Sequence, residues 1–271
     1  MHSLHNYANV LSRRVPFGDA DLWVSLFEAH RYSTLVHYCA YKQGLLSLED
    51  PPMLVLIDQH EDMETPRAPN VHEVDVATIS ERDFLSFVNW DMAWSDGDWI
   101  TTSLELGLIS DVLILGAKGT LLQTGHNTYQ SADGRTHHIW KLGALWDELE
   151  DDGCLVDSST PQTALLWQRL GWDGAQFVPG QGKRLMVDID LDFLEIEIEG
   201  VSTSIPRDVI ASRWHTRAGI SSDAFFQGML ARTDVVCVAM ESDYCGSLKA
   251  MWNNLTVLDE VCFGGLLLRY F

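Results

Sequence analysis

Asp58, His60 and Asp62 alternate within residues 54–63, LVLIDQHEDM, directly after four apolar residues. In extended backbone, a period of two turns all three side chains to one side. Two carboxylates and an imidazole that converge on one point are donors for a divalent cation. The run Leu54–Ile57 is short and rich in branched residues, as in a buried parallel strand. Groups just past the carboxyl end of such a strand lie where open α/β sheets place their sites. Taken alone, the stretch also reads as a strand that ends in a polar loop.

Three other stretches carry compatible chemistry. Residues 183–193, KRLMVDIDLDF, place Asp188, Asp190 and Asp192 at the same period of two. Three carboxylates on one side of a strand repel one another unless a cation lies among them. The plain alternative is an edge strand with its acidic face in water. Residues 234–240, DVVCVAM, are continuous and apolar and run into Glu241, Ser242 and Asp243. Ahead of these come Glu28, His30 and His37; the gap of seven puts the two histidines on one face of a helix read over residues 22–43.

The elements that must position these groups alternate. Residues 1–18 read as irregular, with Pro16 and Gly18 as breakers. After the helix over 22–43, Gly44 sits where a helix stop is expected, and Pro51 and Pro52 lead into the first strand. Helical tracts come next over 80–90 and 99–109, then a strand over 111–115 and a long loop over 117–135. Weak strands are expected over 137–142 and 155–156, with helices over 163–171 and 223–231. Helices that alternate with uniformly apolar strands imply a parallel sheet with helices on both faces. The chain is therefore read as α/β, one three-layer α/β/α domain over residues 1–271 around a mainly parallel sheet.

With 39 acidic against 18 basic residues, the net charge is −21. That balance argues against nucleic acid or an anionic membrane as partner and suits a cationic ligand. No apolar run reaches the roughly 18–20 residues that would span a bilayer. The first residues lack a basic segment followed by an apolar core. Five cysteines without C-x-x-C spacing fit reduced thiols, and the expected location is cytoplasmic.

The order of these motifs resembles the arginase and agmatinase (ureohydrolase) superfamily: a His, then D-x-H-x-D, then D-x-D, then Glu. The nearest likeness is to its peptide arginase branch, which carries an E-x-H and a VDIDLDF-like strand. Here those are Glu28-Ala29-His30 and residues 187–193. The resemblance covers roughly residues 20–245 and implies an arginase/deacetylase-like fold with two manganese ions. His30, Asp58, Asp62 and Asp188 would hold one ion. Asp58, His60, Asp188 and Asp190 would hold the other. A hydroxide between them would attack the guanidinium carbon of an arginine in a peptide, giving ornithine and urea. Glu241 would anchor the guanidinium, and Asp62 joins it among the catalytic residues.

Two departures from the family pattern stand out. The family reads D-x-D-x-x-D-P where this chain reads D-x-D-x-D-F, so a second register makes Asp190 and Asp192 the ligands. The family's catalytic His loop corresponds to residues 94–100, WSDGDWI, which contain no His. His72 is the candidate proton shuttle in its place, while His126, His137 and His138 read as loop surface. The competing functions are a free arginine or agmatine ureohydrolase, a one-zinc deacetylase-like amidohydrolase, and a non-catalytic protein that keeps a metal for stability.

Overall fold

In the computed structural model, residues 9–18, 20–142, 160–198, 201–216 and 223–271 are described. The strand expected over 155–156 lies outside them. Eight strands form one sheet. Its middle is β2 (Ala20–Phe27), β10 (Thr233–Ala239), β7 (Leu185–Asp190), β3 (Met53–Ile57), β4 (Val112–Leu115) and β6 (Thr136–Leu142). Each of these pairs with its neighbour in parallel. Only the edges, β1 (Val10–Phe17) and β5 (Gly125–Gln130), run antiparallel to their partners. A small separate hairpin pairs β8 (Glu195–Ile198) with β9 (Val201–Ser204).

Helices cover both faces. On one face α1 (Tyr32–Lys42), α2 (Glu81–Trp90) and α3 (Trp99–Glu105) share a core with Leu54, Leu56 and Met186. On the other, α4 (Pro161–Leu170), α5 (Arg207–Thr216), α6 (Asp223–Leu230) and α7 (Leu248–Cys262) share one with Val55, Ile57, Val187 and Ile189. Successive residues of the central strands therefore feed opposite cores, which is why these strands are apolar throughout. The three-layer α/β/α reading holds.

The N-terminal region departs from the expectation. The antiparallel strands β1 and β2 stand where the sequence predicts an irregular stretch and the first part of a long helix. Leu22, Val24 and Leu26 enter one core while Trp23 and Phe27 enter the other, a strand buried on both faces. A dense apolar run of that kind has no polar stripe to reveal its period, so strand and helix look alike in sequence. Gly18, with φ +59°, supplies the left-handed turn of the hairpin. Likewise β5 lies inside the segment expected to be a long loop. His137, expected on the surface, is buried in β6, its ring nitrogens against the Ser110 carbonyl and the Ser131 hydroxyl.

No helix in the described residues is long and apolar enough to cross a membrane.

Candidate metal centre

Four adjacent parallel strands, β2, β10, β7 and β3, end at the same edge of the sheet, so the residues just beyond their carboxyl ends meet there. Past β3 comes Asp58; past β10 comes Glu241; past β2 come Glu28, Ala29 and His30. His30 is thus not a helix residue as expected. It sits in the turn between β2 and α1, with its carbonyl accepting from Ser33 N at 2.9 Å. Asp188 and Asp190 lie within β7, while Asp192 lies on the 3-10 turn Leu191–Leu194 that comes next.

The side chains converge on His30 and Asp58, both buried. His30 Nδ1 lies 3.0 Å from Asp62 Oδ2, 3.3 Å from Asp190 Oδ2 and 3.6 Å from Asp58 Oδ2. The other Asp58 oxygen faces His60 Nδ1 at 3.5 Å, and His60 Nδ1 lies 2.9 Å from Asp192 Oδ2. Four groups of possible ligands occur among the described residues: His30/Asp58/Asp62 and Asp58/His60/Asp192, which share Asp58, then His30/Asp190/Glu241, and, deeper in the fold, His37/Asp188/Cys237. His30 Nδ1, Asp58 Oδ2, Asp190 Oδ2 and Asp192 Oδ1 are all buried without a hydrogen-bond partner. A buried polar atom without a partner is costly, and this many at one point fits a cation that they could hold.

Asp188 has a different place. One of its oxygens faces His30 Nε2 at 2.8 Å and the other accepts from the Ser33 hydroxyl at 2.5 Å. A carboxylate behind a histidine fixes the ring's tautomer, here leaving Nδ1 free to face the cluster. Of the two registers, Asp190 with Asp192 is therefore the one in which each carboxylate keeps a buried oxygen without a hydrogen bond, and Asp192 meets the cluster through its other oxygen, which faces His60. Trp99 Nε1 donates to Asp62 Oδ2 at 2.7 Å and fixes that side chain. Glu28, the first residue of E-x-H, is no ligand. Its carboxylate accepts from the Ser242 backbone N–H at 2.8 Å and from the Ser242 hydroxyl. Its carbonyl accepts from Glu241 N at 3.1 Å, which ties the ends of β2 and β10 together.

The electrostatics agree with this geometry. Burial pushes the Asp58 carboxyl well above its usual range, and the charges of Asp62 and Asp192 add to this. Burial and the neighbouring Asp192 and Asp58 push Asp190 up to about 8. Contacts with Asp192 and Asp58 hold His60 protonated, pushed up to about 12. Burial pulls His30 down, but Asp188 and the carboxylates around it win and raise it well above its ordinary value. Protons thus collect where a divalent cation would neutralise the carboxylates. These shifts set the sign of a pH effect on stability. The folded chain binds Asp190's proton more tightly than the unfolded chain does, so metal-free stability falls as pH rises from about 4 through about 8. Calorimetry is expected to show the chelated protein losing several degrees of melting temperature from pH 5 to 8. Any gain on adding a divalent cation should grow over the same range, because the ion competes with fewer protons.

A cavity of about 290 Å³ opens beside this centre, lined in part by His60, Asp62, Asp96, Glu241 and Tyr244. Asp62, Asp96 and Glu241 have φ of +48°, +60° and +33°, and they are the only described non-glycine residues with positive φ. Strained backbone of this sort gathers where side-chain direction matters for function. No protein-family model matches the chain, and no curated protein matches it. Within the cavity, burial pushes Glu241 up to about 10, with the Asp190 charge adding to the shift. His72 does not line the cavity; it stands exposed on a 3-10 turn, Val71–Glu73. Its expected part as proton shuttle finds no support in this geometry.

Asp96 is a cavity residue that the family pattern does not point to, since the pattern asks for a histidine in WSDGDWI. The Asp-Gly step there is the one local signal, a mark of a tight left-handed turn. Glu61 is a second such residue, hidden between the ligands of D-x-H-x-D. Its carboxylate accepts from Leu121 N at 2.7 Å and Leu122 N at 3.1 Å and pairs with buried Lys141. That pins the rim segment holding Gly119, Thr120 and Leu121 to the D-x-H-x-D motif. A Cβ on Gly119 would stand 2.6 Å from Glu61 Oε2, so any larger residue there would have to push the Glu61 side chain out of its contacts.

Proposed function

We propose that this chain is a manganese-dependent hydrolase of guanidino groups that acts on arginine residues within a peptide, giving ornithine and urea. The observation that carries the reading is the crowding of buried ligand atoms that make no hydrogen bond, on His30, Asp58, Asp190 and Asp192, beside an acidic cavity. His30, Asp58, Asp62 and Asp190 would hold one ion, and Asp58, His60, Asp190 and Asp192 the second. Carboxylate and imidazole donors without thiolate suit manganese better than structural zinc. Two groups that share Asp58 favour a pair of ions over the single zinc of a deacetylase-like centre. When bound, such a pair lowers the pKa of a water and supplies a nucleophile near neutral pH.

The chain's own residues do the rest. Glu241, buried at the cavity wall, accepts hydrogen bonds from the guanidinium and orients its carbon toward the centre. Trp99 holds Asp62 in place, and Asp188 holds His30. In the overall reaction the water oxygen bonds to the guanidinium carbon, the bond from that carbon to the side-chain nitrogen breaks, and a proton passes to the leaving amine.

The cavity wall favours a peptide over free arginine. Its described lining contains Glu61, Asp62, Glu64, Asp96 and Glu241 but no Lys or Arg. The one cationic group of the described lining, His60, is already paired with Asp58 and Asp192, so a free α-carboxylate would find no unengaged cation there, whereas an arginine inside a peptide carries no such carboxylate. Leu121 and Tyr244, 62% and 50% exposed, offer apolar contact for flanking residues at the mouth. The test supplies manganese with an arginine-containing peptide and, separately, free arginine. Urea should appear, with a mass loss of about 42 Da per converted arginine, and the peptide should be the better substrate. A wild-type chain that binds no manganese and releases no urea from either would end this reading.

A further inference from the structure

We infer that Asp96 is a second anchor for the cationic head of the substrate, set beside Glu241 and selecting a guanidinium over a simple ammonium. The inference rests on the guanidino reading above. Asp96 Oδ2 and Glu241 Oε1 accept from the same backbone N–H, that of His30, at 3.1 and 3.0 Å. Two carboxylates from loops far apart in sequence are thereby brought side by side. Both line the cavity, and both are nearly buried, at 8% and 7% exposure.

The chemistry of the head group uses both. An arginine guanidinium is planar and carries five N–H donors spread over its edges. One carboxylate satisfies two of them along one edge. The donors on the adjoining edge need another acceptor, or they are buried unpaired at a cost. Asp96 is the neighbouring acceptor. Its position is fixed in advance: Arg31 Nη1 donates to Oδ1 at 2.6 Å, and the left-handed backbone at Asp96 sets its direction. An ammonium is a compact charge with three donors and gains less from a two-walled acceptor.

The experiment compares the wild type with Asp96→Asn and with the double variant Arg31→Met/Asp96→Asn, each loaded with manganese and assayed on one arginine-containing peptide. Asp96→Asn is expected to keep its metal content and lose about tenfold or more in kcat/KM, mostly through KM. The double variant separates contact from charge balance, because it also removes the cation that Asp96 neutralises. KM should stay raised in it. A KM restored to the wild-type value in the double variant would show that Asp96 serves only to neutralise Arg31, and a KM within about twofold of wild type in Asp96→Asn would show no contact; either overturns the inference. A wild type that releases no urea removes the guanidino reading and this inference with it, so the two failures are told apart.

Discussion

If the chain is the two-manganese guanidino hydrolase proposed above, asparagine at position 58 is expected to cost it both ions and to lower urea release by at least about a thousandfold. Asp58 is the residue common to the two ligand groups, with one oxygen toward His30 and the other toward His60. Asparagine keeps the shape and can still accept from His60 N, as Asp58 Oδ1 does at 2.6 Å. It removes the negative charge that both ions would share. The metal-free chain should not suffer. Asp58 is buried among like charges that push its pKa up, so its carboxylate works against folding at neutral pH. The expected signature is therefore an unusual pairing: no metal by elemental analysis, no urea, and a chelated-state melting temperature equal to or above that of the wild type. Retention of two ions in Asp58→Asn would contradict the shared role.

The second large effect separates the two registers of the aspartate strand. Asp192→Asn should lower metal content from two ions toward one and remove nearly all activity, because Asp192 faces His60 and carries a buried oxygen without a partner. Asp188→Asn should keep two sites. Its oxygens are taken by His30 Nε2 and the Ser33 hydroxyl, so the loss is of the group that orients His30. Removing such an outer partner typically weakens metal affinity by about 10–100-fold without abolishing it. Titration of the chelated variants with manganese, read by calorimetry, gives both stoichiometry and affinity. The opposite pattern, one ion in Asp188→Asn and two in Asp192→Asn, would return the ligand role to Asp188 with Asp190.

Much of the fold and the centre is legible in the chain because the signals are local. The α/β class rests on three apolar strands, each running into acidic residues. A period of two within D-x-H-x-D and D-x-D-x-D marks the groups that gather, and the rule that sites lie past the carboxyl ends of parallel strands says where. Strand order then brings β2, β10, β7 and β3 together, so His30, Asp58, His60, Asp62, Asp190 and Glu241 meet at one edge. Features decided by a partner far along the chain are not legible locally. Strand β2 looks like helix in sequence because both its faces are covered by elements that come later. Asp188 and Asp192 are equivalent in sequence. They differ only because Ser33 and His30 reach one, while the chain turns after Asp190 and swings the other toward His60. His72 is near the D-x-H-x-D motif in sequence yet stands outside the cavity, while Asp96, more distant and no histidine, lines it. The residue types and their period determined that the chain could gather a metal centre. Which oxygen faces inward was decided by tertiary packing, because the direction of a buried side chain depends on the groups that satisfy it from other elements.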